Sequence, residues 1–170
     1  TENKELLLVI ASDRGLCGAY NGNVFKRAIQ YIRSTRATEK EIEIETSGKK
    51  ALSFFKFQKL TPEKQHAIGD KPNFEDVARI ADHYMEGFAE GKWEKVSVAY
   101  MRFESNAHQI PEIIQLLPLA PESVEEGDAE GAGGVANYDF SPSAGEILDD
   151  LLPRSIKTTL FQAFNDSVVS

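Results

Sequence analysis

Six consecutive apolar residues, Leu6 to Ala11, run directly into a glycine-punctuated stretch, and this junction constrains the fold more than any other feature of the chain. A strand with one wet face alternates apolar and polar residues, whereas an unbroken apolar run suits a central parallel strand covered on both faces. The run is far too short to cross a bilayer, which takes roughly 18–20 residues. Gly15, Gly18 and Gly22 then punctuate Ser12 to Asn23. Beyond them Val24, Phe25, Ala28, Ile29 and Ile32 recur at the helical period and predict a helix from about Asn23 to Ser34.

The rest of the chain repeats the alternation of strand and helix. Ile42, Ile44 and Thr46 alternate with Glu41, Glu43 and Glu45, which predicts a strand with one wet face. Together with Glu39 and Lys40, these glutamates read as a solvated edge. Lys49 to Phe57 predicts a short helix, followed by a polar loop holding Pro62, Gly69, Asp70 and Pro72. Phe74 to Glu90 is the clearest helix: Phe74, Val77, Ala78, Ala81, Met85 and Phe88 share a face, Tyr84 lies at its margin, Asn73 is the N-cap and Gly91 the stop. Lys95 to Phe103 and Ile113 to Leu119 predict two strands, antiparallel because the link between them is too short for a helix. Ser143 to Glu146 fits a capping box ahead of a terminal helix, within which Pro153 is expected to open a new segment.

The fold class that follows is α/β, a Rossmann-like sandwich on a mixed, mainly parallel sheet, plus the start of a long C-terminal helix. Two units are expected: an α/β domain over 1–141, with a flexible acidic loop at 121–137, and a helix over 142–170. The chain does not begin with Met, and its last helix stops without Gly, Asn or a basic cluster, so a piece of a longer polypeptide is expected, with a frayed terminal helix as the other reading.

Charge and cysteine content exclude several functions. The net charge is −8, from 27 acids and 19 bases, which argues against non-specific nucleic-acid binding. Much of the excess sits between Pro121 and Asn137, where Glu122, Glu125, Glu126, Asp128 and Glu130 face no base. Cys17 is the only cysteine, which excludes an internal disulfide and any multi-cysteine metal site. His66, His83 and His108 show no metal-ligand spacing, so no metal is expected.

The loop after the first strand is where open α/β sheets hold ligands. Its glycines are spaced G-x-x-G-x-x-x-G, neither the dinucleotide fingerprint nor a phosphate-binding loop. Cys17 precedes a helix, but Asn23 stands where a phosphatase-like loop would need arginine. A tight turn packing strand against helix is the main reading, and a small α/β nucleotide-binding or thiol enzyme using 13–22 is the alternative. On the terminal helix, Ile147, Leu148, Leu151, Leu152, Ile156, Leu160, Phe161, Phe164 and Val168 form a broad apolar stripe. Its periodicity allows core packing and partner packing equally.

Several blocks in order resemble the gamma subunit of F-type ATP synthase. Ser12-Asp13-Arg14-Gly15-Leu16-Cys17-Gly18 with Asn21 resembles its signature. Gly69-Asp70-Lys71-Pro72, Phe103-Glu104-Ser105 with Gln109 and Pro111, Leu116-Leu117-Pro118, Tyr138-Asp139-Phe140-Ser141-Pro142-Ser143 and Leu151-Leu152-Pro153-Arg154 resemble further blocks. Ala19-Tyr20 departs mildly from the usual pair, and the family's N-terminal helix and the remainder of its C-terminal helix have no counterpart in the chain. The resemblance implies a noncatalytic rotor domain without cofactor, in a central stalk that couples ion flow through the membrane ring to ATP synthesis. It implies the epsilon subunit, the membrane c-ring and the alpha and beta subunits as partners, no nucleic acid, and contact with the membrane only through the complex. The location it implies is peripheral to an energy-coupling membrane, at the cytoplasmic face of a bacterial plasma membrane. In this reading 12–18 and Asn21 form a structural turn. Subunit contacts are expected at Tyr138 and Phe140, toward the foot of the stalk, and at Ile156, Leu160, Phe164 and Val168, where the last helix lacks its neighbour.

Overall fold

The computed structural model describes residues 3–11, 18–69, 71–105, 108–118 and 144–169, with 18–21, 144–151 and 169 described by backbone alone. The elements run β1 (Lys4–Ile10), α1 (Gly18–Ala37), β2 (Glu41–Ser47), α2 (Lys49–Phe57), β3 (Lys64–His66), α3 (Phe74–Ala89), β4 (Lys95–Ser105), β5 (His108–Leu117) and α4 (Ala144–Val169). The strands form one sheet in the order β3-β2-β1-β4-β5. β1 is parallel to β2 and β4, β2 is parallel to β3, and only β5 runs antiparallel, against β4. The sheet is therefore mixed and mainly parallel, as expected.

The apolar run of β1 occupies the centre. Leu6, Leu8 and Ile10 face one helical layer, α3 with α4, where Val77, Ala81, Tyr84, Leu160 and Phe164 bury them. Leu7, Val9 and Ala11 face the other layer, α1 with α2, against Val24, Ala28, Ile32, Ala51 and Phe55. Each fully buried Leu, Ile or Phe contributes about 1.5–3 kcal/mol, so a run buried on both faces holds the sandwich together. Phe25, Phe54 and Phe55 cluster beneath α1 and α2, with Phe25 and Phe54 stacked at 4.5 Å.

Several boundaries differ from the sequence expectation. α1 starts at Gly18, earlier than the periodic stretch. β5 starts at His108 rather than Ile113 and includes Pro111 opposite Met101, which an edge strand tolerates because one side of its ladder is free. β3 lies in the stretch read as a polar loop. It has no apolar alternation to announce it and is held by pairing with β2, Ser47 opposite His66. Asn73 caps α3 as expected, its side chain accepting from the amides of Glu75 and Asp76. Tyr84 is fully buried at the centre of that helix's packed face rather than at its margin, while Phe74 at its start is exposed. α4 runs through Pro153 without interruption, so no new segment opens there.

The wet face assigned to β2 holds at Glu41, which is exposed, and is corrected further along the strand. β2 lies between β1 and β3, and its glutamate side is covered by α3. Glu45 is 3% exposed, and Glu43 is half-buried against Trp93 and Lys4.

Candidate functional site

Of the residues singled out in sequence, Ser12, Asp13, Arg14, Gly15, Leu16, Cys17, Tyr138 and Phe140 lie outside the described residues, as does the acidic loop. Gly18 opens α1 and Asn21 follows three residues later in the same helix. At the end of β1, the amide of Ala11 donates to the carbonyl of Ser47 at 2.8 Å, which ties the strand's last described residue to β2.

The described residues bring together instead the seat of the terminal helix. Ile156, Leu160, Ala163 and Phe164 repeat at helical spacing and are buried in the α3-side core. Ile156, Leu160 and Phe164, expected as subunit contacts, pack on this chain's own sheet and on α3; Val168, further along, is half-buried. Periodicity could not separate the two readings, since the same apolar stripe serves a sheet or a second helix. Phe161 packs edge-on against Phe74 at 5.2 Å, and Lys157 pairs with Asp82 at 3.3 Å, so α3 holds the helix at both positions.

The end of the seat is polar. β4 outruns β1, whose last partner on it is Ala99 at Val9. The amides of Met101 and Phe103 point to the side where β1 has ended, and a buried amide without a partner is costly. Side chains of α4 accept both: Met101 N donates to Ser167 Oγ at 3.4 Å, and Phe103 N to Asp166 Oδ2 at 3.3 Å. Gln162 Nε2 donates to Asp166 Oδ1 at 2.7 Å and orients the carboxylate. Helix and sheet are thus in register through directional contacts as well as apolar packing.

Two further polar clusters lie within the domain. Glu45 of β2 accepts from Tyr84 OH at 2.8 Å and meets His66 Nε2 at 2.7 Å. Burial acts to raise the pKa of this carboxyl, but the hydrogen bonds from His66 and Tyr84 outweigh it and hold the group below the usual carboxylate value. Burial and the adjacent carboxylate push the Tyr84 phenol well up. The cluster joins the edge strand β3 to α3. At the opposite end of the strands, Glu43 holds Lys4 and Trp93, while Tyr31 donates to Glu5 and lies 3.2 Å from Ser97 Oγ. Burial, with Glu5 beside it, pushes the Tyr31 phenol up to about 12. Lys40 bridges Glu94 at 2.6 Å and Glu5 at 3.7 Å.

Each of these groups spends its polar atoms on a neighbour within the fold. Among the described residues no group of three His, Cys, Asp or Glu is placed to hold a metal ion, and no helix is long and apolar enough to cross a membrane. The signal for Glu45 that sequence reasoning passed over is parity: a carboxylate on a strand with neighbours on both sides must find a donor from a covering helix or an adjacent strand.

Comparison with known proteins gives concordant results. The family model described as ATP synthase matches residues 1–170. An ATP synthase gamma chain of Rhodopirellula baltica is 35% identical, over 99% of this chain and 58% of its own length. One from Clavibacter michiganensis is 38% identical, over 96% of this chain and 56% of its own. The chain thus spans somewhat more than half the length of these curated relatives. Among solved structures, a chain of the rotor of Euglena gracilis mitochondrial ATP synthase superposes with a TM-score of 0.58 at 19% identity, over 95% of this chain and 60% of that one. A chain from the central stalk and c-ring of Tetrahymena thermophila mitochondrial ATP synthase gives 0.61 at 17% identity, over 98% of this chain and 70% of that one. At these identities the structural likeness speaks to the fold.

Proposed function

The chain belongs to the gamma-chain family of ATP synthase, and from that premise we propose that it is the α/β domain of a central stalk with the first part of the stalk's C-terminal helix. The division falls at 141/142. The domain is noncatalytic and transmits rotation between a membrane c-ring, which carries protons, and an alpha/beta ring, where ATP chemistry occurs. Its partners are epsilon, the c-ring and, through flanking helices, alpha and beta. Its place is peripheral to an energy-coupling membrane, at the cytoplasmic face in a bacterium. The role of 12–18 and Asn21 is structural rather than ligand-binding.

The observation that carries this reading is the seat of α4. A helix meant to transmit torque to a domain needs contacts that resist sliding and turning. Here an apolar stripe is combined with the Phe161–Phe74 and Lys157–Asp82 contacts and with the Asp166 and Ser167 hydrogen bonds to β4. The test is a rotation assay on the assembled complex. A bead is attached through Glu90→Cys, an exposed site, in a Cys17→Ser background, with the alpha/beta ring immobilised. ATP is expected to turn the bead; ATP hydrolysis with a stationary bead overturns the rotor reading. Calorimetric titration of the chain with ATP is expected to show no saturable heat, and tight binding would favour the enzyme reading of 13–22.

A further inference from the structure

The two helical layers carry opposite charge. α1 and α2 hold Lys26, Arg27, Arg33, Arg36, Lys49, Lys50 and Lys56 and no acid. On the other side of the sheet α3 carries net −3, from four acids and one base, and α4 net −2, from four acids and two bases. A chain with 27 acids thus places seven bases on one layer with no acid among them. Lys26, Arg27, Arg33, Arg36, Lys50 and Lys56 are all exposed, and none of these six makes an ion pair with a described residue. On the acidic layer, by contrast, Arg79 pairs with Asp76 and Lys157 with Asp82. Neighbouring unpaired cations repel one another, and an anionic partner relieves that repulsion.

We propose that the α1/α2 layer is a docking face for an acidic protein surface on a neighbouring subunit. A bilayer is the poorer fit. Membrane-surface helices present a broad apolar face to the lipid, whereas here Val24, Phe25, Ala28, Ile32, Ala51 and Phe55 all turn inward onto the sheet. Phe57, 83% exposed, is the one large apolar side chain left outside on this layer among the described residues. Nucleic acid is disfavoured by the net charge of −8, which opposes long-range attraction of a polyanion. Three of the six unpaired cations are arginines, whose planar forks match carboxylates in pairs. An acidic protein surface with an apolar spot for Phe57 meets all three features. The inference rests on the stalk reading for the complex in which the face is used.

The test uses the full-length subunit in its membrane complex. A photo-crosslinking amino acid is placed at Gln30 of α1 or Ser53 of α2, both exposed and neutral, so the cations are retained. Glu86 on α3, also exposed, is the control. Irradiation and peptide mass spectrometry are expected to find adducts on Asp/Glu-rich peptides of another subunit from positions 30 and 53 and not from 86. Raising salt from 0.05 to 0.5 M, or introducing Arg33→Glu with Arg36→Glu, is expected to cut their yield by about tenfold, as steered association does. If that variant fails to assemble, the salt series on the unsubstituted complex decides. Lipid adducts, nucleic-acid adducts, adducts on this chain's own 121–137, adducts on neutral or basic peptides, yields indifferent to salt, or no adduct in an assembled complex would each overturn the proposal. Acidic adducts together with a bead that does not rotate would sustain it while overturning the stalk reading.

Discussion

Gly87→Ala should destabilise this domain even though alanine is the better helix former. Gly87 lies in the last turn of α3 with the indole of Trp93 laid over it. A Cβ built at Gly87 would stand 2.3 Å from Trp93 Cζ3, 2.8 Å from Cη2 and 3.0 Å from Cε3. Reaching an ordinary 3.4 Å contact from 2.3 Å requires the ring to withdraw by 1.1 Å. The ring has little room, since it is 3% exposed, lies edge-on to Tyr84 at 6.1 Å and donates from Nε1 to Glu43 at 3.0 Å. Overpacking costs about 1–3 kcal/mol, and losing the bond to a charged acceptor costs about 1.5–3 kcal/mol. The helix-propensity gain of about 1 kcal/mol offsets part of this, so the expected net loss is about 1.5–5 kcal/mol. Trp93 is the only tryptophan, so its fluorescence during urea denaturation reads both the global transition and the local displacement. The variant should unfold at lower urea, with a shifted native emission. Gly22→Ala, in α1 with nothing within 4 Å of the added Cβ, should gain about 0.5–1 kcal/mol. Equal or greater stability in Gly87→Ala, with unchanged native emission, would refute the argument that this contact is tight.

Other outcomes follow from the polar clusters. Glu45→Ala should cost about 2–4 kcal/mol, because it strands His66 and Tyr84 in the interior; a loss below about 0.5 kcal/mol in urea titration would contradict that. Glu45 titrates lower in the folded chain than in the unfolded one, so its contribution is present above the unfolded pKa, near 4.5, and is lost as pH falls through the folded value. Glu45→Gln should therefore flatten the acid limb of a stability–pH profile. The Tyr31 phenol is raised from 10 to about 12, so the unfolded chain loses this proton first and stability falls between those values; Tyr31→Phe should reduce that slope, and an identical slope would rule the group out. Asp166→Ala should speed hydrogen exchange at the Phe103 amide by about tenfold, with Asp166→Asn close to the parent, whereas unchanged exchange would mean that the amide has another acceptor.

Much of the architecture was legible because its signals are local. The unbroken run at Leu6–Ala11 marked the central strand, and Asn73 with the periodic residues after it marked α3 and its cap. Lys49 to Phe57 matched α2 to the residue. The family blocks, each a few residues long, carry the resemblance to the gamma chain by themselves. β3 was not legible, since Lys64-Gln65-His66 has no pattern of its own and becomes a strand only when β2 offers it a ladder. α4 continues through Pro153, where a local rule predicted a break, because the seat downstream holds Ile156 to Phe164 in helical register.

The sequence by itself determined the class of fold, the order of its elements apart from β3, and the family, since these depend on periodicity, caps and motifs that act over a few residues. Tertiary structure decided which of two equivalent faces meets which neighbour. It turned Glu45 from a solvated edge residue into a buried partner of His66 and Tyr84. It settled Ile156, Leu160 and Phe164 in this chain's own core. It placed a basic helical layer and an acidic one on opposite sides of a sheet. The physical reason is common to all three. Burial and pairing are properties of groups distant in sequence, and nothing in a strand's alternation or a helix's stripe names the element that will cover it.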